Sequence, residues 1–288
     1  MAQRDGLIAT LLAGVLFGTS VPVIKLGLDM NIPPELFVEL RFAIASGLIL
    51  LLFRGRGWVQ WDLFKSRAIW TVGLINAAGY VTQFQGQVLT TSSNAALIIS
   101  TAALMIPLLS LVYVRERMGG RKIAGVVTGF VGTALVVTRG QAFALENSEF
   151  VGDILILATA VTIALVFVLS KSIVERRGGR PVTGALLLTT TILLLPTILL
   201  DFGHPANLTM TAWFYINYLV VFATVGAYYY FMKGLETVSP TVSSIILPIE
   251  VVVAVALSVI LFNDPFNLYS GTGAALIITG VVLVSTAA

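Results

Sequence analysis

The stretch Asn76-Ala77-Ala78-Gly79-Tyr80-Val81-Thr82-Gln83-Phe84-Gln85-Gly86-Gln87 lies 148 residues before Thr224-Val225-Gly226-Ala227-Tyr228-Tyr229-Tyr230-Phe231-Met232-Lys233-Gly234-Leu235. At that offset Tyr80 falls on Tyr228 and Gly86 on Gly234. The register continues without a gap to Gly125 on Gly273 and Gly132 on Gly280, and Ile98, Leu109, Ser110, Leu135 and Val136 also recur. Asp264 answers Glu116, and Pro181 answers Pro33. An offset of 146 pairs Gly6 with Gly152 and Lys25 with Lys171. The tyrosine and glycine matches carry more weight than the aliphatic ones, which chance supplies freely in an apolar chain. The sequence is therefore two related halves.

Around these stretches the chain is overwhelmingly apolar. Of its 288 residues 57% are hydrophobic and 11% charged, against roughly 25% charged in a soluble domain. The mean hydropathy is +0.97. A soluble fold of this size has too little interior to hide such a composition, and disorder needs the opposite balance. Apolar runs bounded by charges or Gly/Pro/Asn clusters predict ten helices, at about 7–28, 34–53, 67–89, 93–114, 121–138, 151–171, 183–200, 211–232, 241–262 and 269–286. The runs are continuous and not alternating, which favours helices over a barrel. Five helices per half is an odd number, so the second half runs upside down relative to the first. The expected fold is an all-α polytopic membrane protein, ten transmembrane helices as two inverted five-helix repeats over 1–140 and 148–288. Inverted repeats of this kind build alternating-access transporters, with the site near the midplane where the halves meet.

Charge sets the orientation. With the N-terminus inside, the cytoplasmic side collects Arg4, Arg54, Arg56, Lys65, Arg67, Arg115, Arg117, Arg121, Lys122, Lys171, Arg176, Arg177, Arg180 and Lys233, fourteen of the seventeen Lys and Arg residues. Lys25 and Arg139 fall outside, and Arg41 falls within the second helix. This asymmetry predicts both termini in the cytoplasm. The net charge of +3 suits basic cytoplasmic loops and gives no nucleic-acid surface. There is no cysteine and one histidine, His204; thiol chemistry and two-histidine zinc motifs are excluded. His204, beside Pro205 in an outer loop, is expected to cap a turn or face water. The N-terminal residues lead straight into the first helix, which is expected to be retained and not cleaved as a signal.

Helix 1 ends Phe17-Gly18-Thr19-Ser20-Val21-Pro22-Val23-Ile24-Lys25, helix 2 opens Pro34-Glu35-Leu36-Phe37 and continues Glu39-Leu40-Arg41-Phe42-Ala43, and helix 4 carries Pro107 and ends Arg115-Glu116-Arg117 before a basic turn. In combination these resemble the drug/metabolite transporter superfamily, in its EamA-type branch of ten-helix exporters, over nearly the whole chain. Phe17 stands where that family commonly has Trp, and Asn263-Asp264-Pro265 departs from the Glu-Arg-like pair of its second half. Within the branch the chain looks most like the bacterial aromatic amino-acid exporters. The resemblance implies export of aromatic and other amino acids, with toxic organic cations as a further substrate class, across the bacterial inner membrane. It also brings Phe17 into the candidate binding set.

Helix 3 carries Asn76, Tyr80, Gln83 and Gln87 within about a 60° arc at 100° per residue, and Gln85 about 180° away. Amides are costly in hydrocarbon, so this stripe faces a wet cavity or hydrogen-bonds a neighbouring helix. The same arithmetic puts Asn217, Thr224, Tyr228 and Phe231 on one face of helix 8. Two related stripes favour the cavity, with Tyr80 and Tyr228 facing each other across the pseudo-two-fold; the alternatives for the rings are packing or the interfacial belt expected for Trp58, Trp61 and Trp213. Glu39, Arg41, Lys25 and Glu250 are the candidates for coupling or charge roles. Glu39 and Arg41 point about 160° apart and cannot pair with each other; an interhelical pair such as Lys25 with Glu39 is the expected structural use. Glu250, two residues after Pro248, is a candidate protonation or amine-binding site. Pro22, Pro107 and Pro248 are candidate gating kinks, against plain static curvature, and Pro196 a further kink.

The leading function is a secondary exporter of amphipathic metabolites by alternating access. An intramembrane enzyme is disfavoured: Glu39 and Glu250 are the only deep carboxylates, and no Gly-x-Gly-Asp motif or magnesium-binding aspartate pair occurs. A scaffold would leave both polar stripes idle. A nucleotide-sugar or sugar-phosphate carrier would need cationic cavity residues, and only Arg41 lies deep. No phosphate-binding Gly-x-x-x-x-Gly-Lys loop is present, and no cofactor or metal is expected. The expected partners are a small-molecule substrate and membrane lipid; a monomer and a homodimer both stay open.

Overall fold

The computed structural model of the chain describes residues 2–113, 119–138, 148–198, 208–240, 246–263 and 268–285. Among the described residues all regular structure is helical and forms ten spans. Span 1 is Ala2–Gly18 continued by Ser20–Leu28; span 2 is Pro34–Leu48 ending in a π-helical turn, Ile49–Phe53; span 3 is Arg67–Leu89. Span 4 is Ser92–Ile99 and Ala102–Tyr113, span 5 Gly120–Thr138, span 6 Ser148–Arg177 and span 7 Gly179–Ile198. Span 8 joins Met210–Tyr218 to Ala227–Leu235 through a π-helical segment, Leu219–Gly226; span 9 is Ile246–Phe262 and span 10 Leu268–Ser285. Seven of these are long and apolar enough to cross a bilayer, and spans 9 and 10 contribute shorter apolar helices. Span 3 has the length, at 23 residues; its Asn76, Gln83, Gln85 and Gln87 set it apart from the apolar seven.

The expected boundaries differ most at spans 6 and 7. Span 6 does not stop at residue 171 but runs on through Lys171, Glu175, Arg176 and Arg177. Charges mark where hydrocarbon ends, and a helix is free to continue into water. Gly178, at φ +83°, then reverses the chain in a single residue, as the left-handed region allows for glycine. Asn31 occupies the equivalent corner between spans 1 and 2 at φ +59°.

Packing follows the inverted repeat. Span 3 lies along span 6 as span 8 lies along span 1; span 4 crosses span 6 as span 9 crosses span 1; span 3 meets span 7 as span 8 meets span 2. Spans 2 and 7, 4 and 9, and 5 and 10 each meet their own counterpart. The repeated glycines sit at these crossings. A Cβ on Gly132 would lie 2.6 Å from the Gly273 carbonyl oxygen, and one on Gly125 would lie 2.7 Å from that of Gly280. Backbone therefore touches backbone at two levels of the span 5–span 10 crossing, the close approach that small residues give membrane helices. Gly86 meets Gly152, and Gly234 meets Gly6, in the same manner at the two long crossings.

The repeated lysines also match. Lys25 Nζ donates to the carbonyls of Gln87 and Thr90 at 3.0 and 3.3 Å and pairs with Asp29. Lys171 Nζ donates to those of Leu235 and Val238 at 2.7 and 2.8 Å and pairs with Glu175. Each lysine caps the C-terminal carbonyls of the neighbouring span, where the helix dipole favours a cation. The expected Lys25–Glu39 pair is not formed: Lys25 is spent on span 3, while the Glu39 carboxyl oxygens are buried without a partner.

The proline expectations divide. Span 1 breaks at Thr19, three residues before Pro22, where the missing proline N–H leaves the Gly18 carbonyl without its helical donor. Span 4 carries Pro107 inside Ala102–Tyr113 but breaks earlier, at Ser100 and Thr101. The Pro248 side chain, like His204, Arg139, Glu116 and Asp264, lies outside the described residues. Trp61 is exposed, Trp213 borderline exposed, and Trp58 is buried instead of interfacial, held between the rings of Phe53 and Tyr229.

Candidate functional site

Where spans 1, 3, 6, 8 and 9 converge, the protein forms a narrow cavity, about 40 Å³ in volume. Span 3 gives it Asn76, Gly79, Tyr80 and Gln83; span 8 gives Tyr228; span 1 gives Phe17 and Ser20; span 9 gives Glu250. Span 6 forms the remaining wall with Thr159, Thr162, Ile163, Val166 and Phe167. A mostly apolar lining with a few polar groups is the usual form of a small-molecule site.

Tyr80 and Tyr228, one from each half, both line the cavity. The Tyr228 hydroxyl donates to Asn76 Oδ1 at 2.6 Å, and Asn76 Nδ2 donates to Thr190 Oγ1 of span 7 at 3.0 Å. Phe42 packs edge-on against Tyr80 with ring centroids 4.6 Å apart, and Phe17 against Tyr228 at 5.4 Å. Both rings are thus held by phenylalanines of the first half, Phe42 on Tyr80 and Phe17 on Tyr228. Gln83, Ser20 and Glu250 line the cavity and make no hydrogen bond to a described residue. Three groups that accept or donate protons in hydrogen bonds are therefore left for a ligand or water.

Local sequence explains these placements. Gly79 brings span 3 against Thr162 of span 6, since a Cβ there would lie 2.2 Å from the threonine oxygen. Gly18 brings span 1 against span 9, since its Cβ would lie 2.8 Å from the Glu250 carbonyl oxygen. Span 3 is an uninterrupted α-helix, so the 100° spacing of Asn76, Tyr80 and Gln83 survives and all three reach the cavity. Gln85, on the opposite face, donates to Glu35 of span 2.

The other expected residues lie elsewhere. Gln87 is fully buried at the end of span 3, about 10 Å along the axis from Tyr80 at 1.5 Å per residue, and its amide has no partner. Thr224 does not line the cavity; its hydroxyl accepts from Arg41 Nε at 2.6 Å. Phe231 stands one layer back, stacked on Phe167 with centroids 3.9 Å apart. Asn217 is exposed, its Nδ2 donating to the Trp213 carbonyl one turn back. The π segment Leu219–Gly226 separates it from Tyr228, and i→i+5 bonding turns the chain less per residue than the α-helical step assumed for the stripe. Lys25 caps span 3 and Glu39 is buried away from the lining. Pro22 and Pro107 are buried and contribute no lining side chain, nor does any residue of span 4. The sequence places span 6 in the wall, with spans 1, 4 and 9, but singles out none of its residues: its threonines and aliphatics resemble any apolar helix.

Comparison with known proteins follows the same outline. A protein of Archaeoglobus fulgidus described as an uncharacterized transporter is 26% identical over 270 residues, covering 90% of this chain and 90% of its own. The uncharacterized transporter YetK of Bacillus subtilis is 26% identical over 97% of this chain and 86% of its own, and the uncharacterized inner membrane transporter YicL of Salmonella typhimurium 25% identical over 99% and 96%. A solved crystal structure superposes with a TM-score of 0.69 over 97% of both chains at 21% identity, a likeness of fold. The model of the EamA-like transporter family matches residues 4–138 and again 150–286, once on each half. Carrying both copies of that repeat, the chain belongs to the EamA-like transporter family.

Proposed function

We propose that this membrane transporter exports amino acids, aromatic and other amphipathic ones, by alternating access through the cavity between spans 3 and 8. The observation that carries the reading is the lining itself. Tyr80, Tyr228 and Phe17 offer ring surface, while Gln83, Ser20 and Glu250 stand with free polar groups around it. A molecule with an aromatic or aliphatic body and a charged head matches that division. The two halves each supply one tyrosine, so rocking one against the other opens the cavity to alternate faces. The basic residues concentrated on one side orient both termini to the cytoplasm, and a relative carries an inner-membrane description. Outward direction rests on the resemblance to amino-acid exporters.

Glu250 favours organic cations as a second substrate class, because a carboxyl with no hydrogen bond to a described residue, in an aromatic cavity, suits an ammonium group. Counterflow in proteoliposomes tests the amino-acid assignment. Unlabelled tyrosine, phenylalanine or leucine trapped inside should accelerate uptake of the labelled amino acid, whereas a panel of sugar phosphates should not. Absence of counterflow for every amino acid in the panel would refute the assignment.

A further inference from the structure

Arg41 of span 2 is fully buried, 0% exposed. Its Nε donates to Thr224 Oγ1 at 2.6 Å and its Nη2 to the Ala223 carbonyl at 2.9 Å, both within the π segment of span 8. Its Nη1 has no partner, and the guanidinium joins no ion pair among the described residues. A guanidinium keeps its charge in proteins, and a buried charge met only by neutral oxygens is expensive. Glu39 does not neutralise it: the two point to opposite sides of one helix, and both Glu39 oxygens are unpartnered.

The fold does not require this cation. At the repeat offset of 148 the position of Arg41 is taken by Thr189 and that of Thr224 by Asn76. In that half the joint is closed by neutral groups, Asn76 Nδ2 donating to Thr190 Oγ1 at 3.0 Å, and Thr189 bonds only its own helix. A neutral pair thus suffices to hold a span of this kind to its neighbour. The charge is an addition peculiar to the first half.

Its position says what it is for. The Arg41 Cζ lies 4.9 Å from the centre of the Tyr80 ring, and Tyr80 lines the cavity beside Tyr228. The guanidinium thus lies against a ring of the cavity wall, which holds Glu250 among its other lining groups. We propose that Arg41 is the carboxylate anchor of the transported molecule, reached through Nη1 when a ligand parts Tyr80 from Tyr228, so that the site selects zwitterions over plain cations. This rests on the reading of the cavity as the transport site. A ligand carboxylate supplies the counter-charge that the protein omits, and a guanidinium fork fits it. The ligand's ammonium group then falls to Glu250.

The test uses full-length protein in nanodiscs and three probes: tyrosine, tyramine, which lacks the carboxylate, and 3-(4-hydroxyphenyl)propionate, which lacks the amine. The wild type should bind tyrosine about 10- to 100-fold more tightly than tyramine, the span of one charge-assisted hydrogen-bonded contact. Arg41→Gln should bring that ratio to within about threefold. Arg41→Lys keeps the cation, and Thr224→Val removes a structural bond while sparing it; both should retain most of the ratio, even where Thr224→Val lowers thermal stability. Should Arg41→Gln not fold, the wild-type ratio and these two variants still decide. Equal binding of tyrosine and tyramine by the wild type overturns the proposal, as does a ratio that survives Arg41→Gln. If the propionate alone binds, the anchor stands and the amino-acid assignment falls; if none of the three binds, both fall.

Discussion

Gln83 and Gln85 sit two positions apart on one helix and do different work. Gln83 faces the cavity without a hydrogen-bond partner among the described residues, and Gln85 is engaged with Glu35 of span 2. Losing one neutral hydrogen bond to a ligand costs about 0.5–1.5 kcal/mol, or several-fold in affinity. Gln83→Ala should raise the KM for export several-fold with normal expression, and Gln85→Ala should leave it nearly unchanged. Tyr80→Ala should depress transport of aromatic substrates more than of small aliphatic ones, because it removes ring contact as well as a hydroxyl. Uptake kinetics for tyrosine and alanine in each variant check all three. Glu250, in the lining with no hydrogen bond to a described residue, is the proposed proton acceptor. Glu250→Gln should abolish stimulation by a pH gradient and sustain counterflow only at raised amino-acid concentration, because it also removes the partner of the ammonium group; wild-type transport indifferent to the gradient would assign Glu250 to substrate binding alone. The residue-level pattern was legible where the backbone is regular: Asn76, Tyr80 and Gln83 follow from spacing in an unbroken α-helix. It failed at Asn217, because the π segment that shifts the face of span 8 leaves no mark in an apolar run.

The helices themselves were readable from apolar length, and the crossings from glycine. Gly125, Gly132, Gly273 and Gly280, visible as matches between the halves, are the points where spans 5 and 10 touch backbone to backbone. Gly132→Val places its branched Cβ against the Gly273 carbonyl and the Ile277 amide, at 2.6 and 2.8 Å from the ideal Cβ. Neither backbone atom can move aside cheaply. The variant should lose about 1–3 kcal/mol of stability or more, read as a lowered thermal midpoint in detergent, whereas Val131→Ala on the exposed face of the same span should have little effect. What the sequence could not convey was the use of charge between elements. Lys25 and Lys171 are a sequence match, but that both cap the carbonyl ends of neighbouring spans depends on contacts more than sixty residues away. The extension of span 6 through its basic end was hidden for a related reason, since hydropathy marks the edge of the bilayer and not the end of a helix.

At the scale of the molecule, two copies of one five-helix unit lie upside down to each other, and their shared surface holds the cavity. The odd helix count, the repeat offset and the one-sided basic residues were enough to anticipate this arrangement. The composition of the walls was not, because span 6 enters the cavity with residues that lipid-facing helices also carry. The central claim is that substrate passes through this cavity as it opens to either side. The chain contains no cysteine, so a single introduced thiol reports one place. Ser20→Cys in the lining and Gln85→Cys outside it, each in sealed vesicles of known orientation, would be treated with a membrane-impermeant thiol reagent from either face, with and without tyrosine. The account predicts that the Ser20→Cys thiol reacts from both faces and is protected by tyrosine, while tyrosine leaves Gln85→Cys unaffected. A Ser20→Cys thiol reached from one face only, or protection at position 85 and none at position 20, would contradict it.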